Sequence, residues 1–256
     1  MRLIGLRCGG LLVDIGSFYG SSPSGSRDEV PVMCFVVDTG DGVLVFDTGM
    51  HEACCDERAL ARYGRMLESF EPVCPREALI DARLRQAGFA IDEIRWVTNS
   101  HLHFDHAGNN ACFGSATHLV RARELAFART RMQKPFGFIA AEIEWLTSVS
   151  DTWDYDETFV VADGVVLADA SGHTPGHQTL SIDFPDGRRF VCIGDAAYSL
   201  EAVDTLTPTG FVSDRPRSVA TLQTLRAARD GGSVLLSAHD RDQWHGVTDL
   251  VLIHEG

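Results

Sequence analysis

Thr98-Asn99-Ser100-His101-Leu102-His103-Phe104-Asp105-His106-Ala107-Gly108-Asn109-Asn110 decides how this chain is read. Three histidines and an aspartate fall within six positions, directly after an apolar run (Ile94, Trp96, Val97) that reads as a buried strand. Core packing asks for no such set of polar side chains. Imidazole and carboxylate suit zinc and other borderline divalent metals, above all when several converge on one point. The H-x-H-x-D-H spacing lets one turn at a strand end aim His101 and His103 one way and Asp105 and His106 another. That geometry suits two adjacent ions better than one.

Ligands of a metal site are held at strand or loop ends, so His or Asp just after an apolar strand is the signal to seek. Three more fit. His173 follows Val165-Val166-Leu167 within Ser171-Gly172-His173-Thr174-Pro175-Gly176-His177, Asp195 follows Phe190-Val191-Cys192-Ile193, and His239 follows Val234-Leu235-Leu236. With the first cluster they make five histidines and two aspartates, enough for two ions with Asp195 bridging and a position left open to water. His177 competes with His173, but Pro175 and Gly176 forbid a helical pair, so only one of the two should ligate. His118 reads as a core or edge histidine, and His51, His245 and His254 as surface or supporting residues. Asp47, at the tip of Val43-Leu44-Val45-Phe46, is either a turn residue or a support for the metal loop.

Outward from these motifs the chain is rich in strands. Leu3–Val13 is β-like and residues 16–27 form a loop. Pro31–Asp38 and Val43–Asp47, joined by Thr39-Gly40-Asp41-Gly42, predict a β-hairpin. Residues 52–70 read as a surface helix, and Arg76–Ala87, closed by Gly88, as a better one. Ala116–Val120 is a short strand and Arg121–Met132 a helix. Gln133–Asp156 has aromatics without periodicity. Strands at 159–161, 165–167, 178–182 and 190–193 follow, then a helix over Ser218–Arg229 and the strand at 234–236. No linker divides the chain, so residues 1–256 are expected to form one domain of the α/β class: two sheets face to face with helices outside. Phe18, Tyr19, Met50, Met66, Phe70, Phe136, Phe138 and Trp145 are candidate pocket walls.

Composition narrows the function. The chain has 45% hydrophobic and 23% charged residues, ordinary for a globular protein, and a formal net charge of −14. An acidic chain without a Lys/Arg cluster repels phosphate backbones, so no nucleic-acid partner is expected. No run reaches membrane-spanning length and the first residues carry no signal-type core, so a soluble cytoplasmic protein is expected, with no membrane partner. The seven cysteines are odd in number and irregularly spaced, the pattern of free thiols in a reducing compartment. The adjacent Cys54 and Cys55 are the pair to watch for oxidation.

The ordered motifs Phe46-Asp47-Thr48-Gly49, Ser100-His101-Leu102-His103-Phe104-Asp105-His106-Ala107-Gly108, Gly172-His173-Thr174-Pro175-Gly176-His177, Asp195 and His239 together resemble the metallo-β-lactamase superfamily over nearly the whole chain. The resemblance implies an αββα sandwich of two mixed sheets with a dinuclear zinc site at one edge, Fe, Mn or Co being possible substitutes. It implies that His101, His103 and His173 hold one ion, that Asp105, His106 and His239 hold the second, and that Asp195 bridges them. Within the superfamily the chain is most similar to the N-acyl-homoserine lactonases, and Asp195-Ala196-Ala197-Tyr198 matches their catalytic tyrosine. This implies a quorum-quenching hydrolase that opens the lactone by attack of a zinc-bridging hydroxide, with Tyr198 and Asp105 as catalytic groups and a small lactone as its partner, working as monomer or homodimer. Alternatives are another small lactone or ester, of butyrolactone or pyridoxolactone type, a glyoxalase II thioesterase and a non-hydrolytic metal sensor. Only 17 residues follow His239, too few for the helical domain of glyoxalase II.

Overall fold

The computed structural model describes residues 1–21, 24–131, 137–153 and 158–256. Strands β1 (Arg2–Asp14), β2 (Arg27–Asp38), β3 (Val43–Phe46), β4 (Glu71–Val73), β5 (Ile94–Thr98), β6 (Thr117–Arg121) and β7 (Asp151–Trp153) belong to the first sheet. Strands β8 (Thr158–Ala162), β9 (Val165–Asp169), β10 (Gln178–Asp183), β11 (Arg189–Gly194) and β12 (Val234–Ser237) form the second, and β13 (Leu250–Glu255) returns to the first. The orders are β13-β1-β2-β3-β5-β6-β7, with β4 on β1, and β12-β11-β10-β9-β8. Both sheets are mixed: β3, β5, β6 and β7 run parallel, as do β11 and β12, and the other pairs are antiparallel.

Alternation explains the layers. On β2, Met33, Phe35 and Val37 face inward and meet Leu167, Leu180, Ile182 and Cys192 of the second sheet. The alternate residues Cys34 and Val36 face outward, under Ile80 and Leu84 of α3 (Ile80–Gln86). The second sheet mirrors this. Val191 and Ile193 lie beneath Val203 of α7 (Leu200–Thr205) and Leu222 and Leu225 of α8 (Arg215–Asp230). The result is the αββα sandwich expected. Helices α5 (Ala122–Arg131) and α6 (Ala140–Val149) pack at the β6 side, with Leu125, Ala128, Ile143 and Leu146 closing on Leu102 and Phe138. At the opposite margin the chain ends meet on neighbouring strands: the Met1 ammonium donates to the Gly256 carbonyl at 2.7 Å and Gly256 N–H to the Met1 carbonyl at 3.1 Å. Among the described residues no helix is long and apolar enough to cross a membrane.

Several elements differ from expectation, each for a local reason. The 16–27 loop opens with one helical turn, α1 (Ile15–Phe18), because the Asp14 side chain caps Ser17 N–H at 2.8 Å. Residues 52–70 contain only α2 (Arg58–Tyr63) between two 3₁₀ turns, and Cys54 and Tyr63 there are buried. The helix expected from Arg76 begins at Ile80, since Leu79 is extended (ψ 149°) and cuts off the first turn. Helix α8 starts three residues early, at Arg215, where Asp214 caps it and Pro216 fits the first turn. Strand β13 went unforeseen, and it buries His254 against Phe184 and Phe190 beside Asp186, not at the surface.

Candidate metal centre

All the polar motifs leave the sandwich at one edge, Asp105 and His106 on the single turn α4 (Phe104–Ala107). The loop after β5 is locked to the second sheet by Gln178, whose N–H donates to the Ser100 carbonyl at 2.9 Å and whose amide reaches the Asn99 carbonyl at 2.8 Å. Residue 195 directly follows β11, and 239 lies two residues beyond β12, tied to β2 by Met33 N–H on the Ala238 carbonyl at 3.0 Å. Gly194 permits the sharp exit before Asp195: its φ is +49°, and a Cβ there would lie 2.4 Å from that of Ser100.

Two groups of side chains result, His101, His103, His173 and Asp195 in one and Asp105, His106 and His239 in the other, each with ligand atoms within 4.8 Å. Asp195 stands between them. Its Oδ2 lies 3.6 Å from His101 Nε2 and 3.3 Å from His173 Nε2, while Oδ1 lies 3.1 Å from both His106 Nε2 and His239 Nε2. Asp105 Oδ2 is 3.6 Å from the Nε2 atoms of His106 and His239. His103 presents Nδ1, at 2.8 Å from His101 Nε2 and 3.1 Å from His173 Nε2. His177 is elsewhere engaged, its Nε2 accepting the Asp195 N–H at 3.0 Å.

The outer contacts fix which ring nitrogen faces inward. His239 Nδ1–H donates to the Pro31 carbonyl at 2.7 Å and His106 Nδ1–H to Asp47 Oδ2 at 2.9 Å, which turns each Nε2 inward. Asp47 has φ +65° and also accepts the Ser100 N–H at 2.7 Å, so its turn geometry and its support of the loop are one arrangement. His118 hydrogen-bonds the Phe113 carbonyl and stacks edge-on to Trp145, away from this cluster. His51 caps the turn at 52–55, and His245 is exposed.

Charge follows the same division. Burial and the neighbouring imidazoles hold His101 well below the usual histidine range, burial does the same for His103, and burial brings His173 to about 4 and His177 to about 3. Neutral rings are what a cation binds. Burial also acts to lower His106 and His239, but Asp195 and Asp105 outweigh it and raise both. Burial pushes the Asp105 carboxyl up, whereas in Asp195 the imidazoles of His106 and His239 overcome burial and keep it low. Asp195 Oδ1 is buried with no well-aligned hydrogen bond among the described residues. A buried carboxylate oxygen without an aligned donor, faced by two imidazole Nε2 atoms at 3.1 Å, is a donor set that fits a cation.

A model of the metallo-beta-lactamase superfamily matches residues 27–239. The chain belongs to that superfamily. Among curated relatives of this metallo-β-lactamase chain, the N-acyl homoserine lactonase AttM of Rhizobium radiobacter is 28% identical over 255 residues, covering 95% of each chain. An N-acyl homoserine lactonase of Bacillus thuringiensis is 26% identical over 244 residues, covering 94% of each. A solved N-acyl homoserine lactone hydrolase, holding the product N-hexanoyl-L-homoserine at its metal center, superposes with TM-score 0.83 over 96% of both chains at 24% identity, which speaks for the fold alone.

In this metallo-β-lactamase fold a cavity opens over the two groups, walled by Leu11, Phe18, Phe70, Phe104, Tyr198 and Phe211. Tyr198 stacks on Phe18 at 4.0 Å, and its hydroxyl reaches Asp195 and Thr209. Burial, then the charges of Asp195 and Asp105, push that phenol well above its ordinary value, so it stays a proton donor. Phe18, Phe70 and Phe211 continue from the cavity into an outer groove lined by polar groups such as Ser17, Arg27 and Arg215. Of the other candidate walls, Tyr19 donates to the His239 carbonyl, Met50 is buried in the core beneath, Met66 packs partly buried against that core, Phe138 packs behind His103, and Phe136 lies outside the described residues. Phe211 and Thr209 were missed because their loop has no periodicity; only an aromatic after Pro208-Thr209-Gly210 marked it.

Proposed function

We propose that this chain is a dinuclear zinc hydrolase that opens the lactone ring of N-acyl-homoserine lactones and so quenches quorum signals. One observation carries the reading: Asp195 turns one oxygen to each of two ligand groups, with the protonated Tyr198 hydroxyl beside it. The names of the relatives that cover 95% of the chain supply the substrate class. His101, His103 and His173 would hold one ion, Asp105, His106 and His239 the other, and Asp195 would join them. Bound there, zinc supplies Lewis acidity and draws the pKa of water toward neutrality.

The chain's own residues supply the rest. Phe18, Phe70 and Phe211 hold the acyl arm and exclude water, setting the lactone carbonyl over the ligand groups. As negative charge grows on that carbonyl oxygen, the Tyr198 O–H donates to it. Asp105, beside the ligand groups, is placed to pass the proton released by the attacking water to the departing ring oxygen. The test is a panel of short- and long-chain homoserine lactones, butyrolactones, thioesters, cephalosporins and phosphodiesters, read beside elemental metal analysis. Preferred opening of acyl-homoserine lactones by protein with two zinc ions per chain is expected. Thioester or phosphodiester hydrolysis without lactone opening would overturn the assignment.

A further inference from the structure

The two loops that supply the first ligand group are far apart in sequence: His103 and His173 are separated by 70 positions. One side chain touches both loops and is neither a ligand nor part of the cavity. Glu124, in the first turn of α5, is buried, its Oε1 accepting the Leu102 N–H at 3.1 Å and its Oε2 the Gly176 N–H at 3.0 Å. Leu102 lies between His101 and His103, and Gly176 between His173 and His177. We propose that Glu124 is a positioning residue, a staple whose two oxygens set the distance between these loops so that His101, His103 and His173 converge. The proposal rests on the reading of that group as a metal site.

Three observations set the staple apart from an ordinary acid at a helix start. Such an acid acts on the helix's own free N–H groups, whereas Glu124 spends both oxygens on other segments. Arg121, whose charge acts on Glu124, makes hydrogen bonds to Asp169 and to the His177 carbonyl. Finally, a Cβ on Gly176 would lie 2.3 Å from the Glu124 nitrogen and 2.5 Å from its Cα. The loop of His173 is therefore pressed against the first turn of α5, and glycine is required there for space. The convergence it secures is tight, with His103 Nδ1 at 2.8 and 3.1 Å from its two partner nitrogens. Ligand geometry at this scale depends on the groups that hold the ligands.

Glu124→Gln keeps the shape but replaces one accepting oxygen with an N–H donor, so one loop must let go. Glu124→Asp keeps the carboxyl group but is too short to span both amides. Zinc affinity of the folded proteins, read by chelator competition, is expected to fall about 10–100-fold in Glu124→Gln and by less in Glu124→Asp. Amide exchange at Leu102 or Gly176 should quicken in parallel. Should Glu124→Gln fail to fold, Glu124→Asp carries the same measurement. Zinc held as tightly by the variants as by wild type, even with a lowered melting point, makes Glu124 a mere fold stabiliser and overturns the staple alone. Wild-type protein that takes up no zinc overturns the metal reading and the staple together.

Discussion

Tyr198 is the proposed catalytic group with the most closely packed surroundings. Its ring is clamped on Phe18 and edge-on to His239, so its hydroxyl has little freedom, and its raised pKa keeps the proton in place. Tyr198→Phe is expected to lower kcat/KM on a homoserine lactone about 10²–10³-fold, with zinc content and melting temperature unchanged. An unaltered kcat/KM would remove the tyrosine from the mechanism. At this scale much of the site was legible before any fold was known. Each ligand candidate follows an apolar strand or sits just past one, and such positions repay a polar residue only if something binds it. The supports were less legible. The Pro31 carbonyl under His239 and Thr209 beside His173 act through tertiary approach, which leaves no mark in local sequence.

Elements follow the same rule. The hairpin of β2 and β3 was legible because two apolar runs flank a Gly-containing turn, and its register, Phe35 opposite Phe46, is set by which residues must face the second sheet. Short 3₁₀ turns at 52–55 and 64–68 were not: the Ala, Leu, Arg and Glu around them read as helix, but Gly64 ends α2 with φ +53°, and Cys54 and Tyr63 turn into the core. Helix α8 shows what burial contributes. Leu222 is wholly buried between α8 and the second sheet. Leu222→Ala is expected to cost about 2–5 kcal/mol in urea unfolding, seen as a lowered midpoint at unchanged slope. A loss below about 1 kcal/mol would mean that α8 is only loosely seated.

We infer that residues 1–256 fold as one domain, since both sheets share a single interior built from β2, β3, β9, β10 and β11. One cooperative transition is expected in calorimetry, with calorimetric and van't Hoff enthalpies equal. Stripping metal with a chelator should abolish lactone opening and lower the melting temperature, and zinc returned at 100 times its Kd should restore about 2.7 kcal/mol. Equal melting curves with and without chelator would mean that the folded state gains nothing from the ions. The hydrogen-bonded chain ends have a consequence of another kind. With Met1 and Gly256 side by side just beyond β1 and β13, a short bridge could close residues 1–256 into a ring, and fresh ends could be cut in the Thr39–Gly42 turn. Such a circular permutant would keep every strand pairing, and with it both candidate ligand groups.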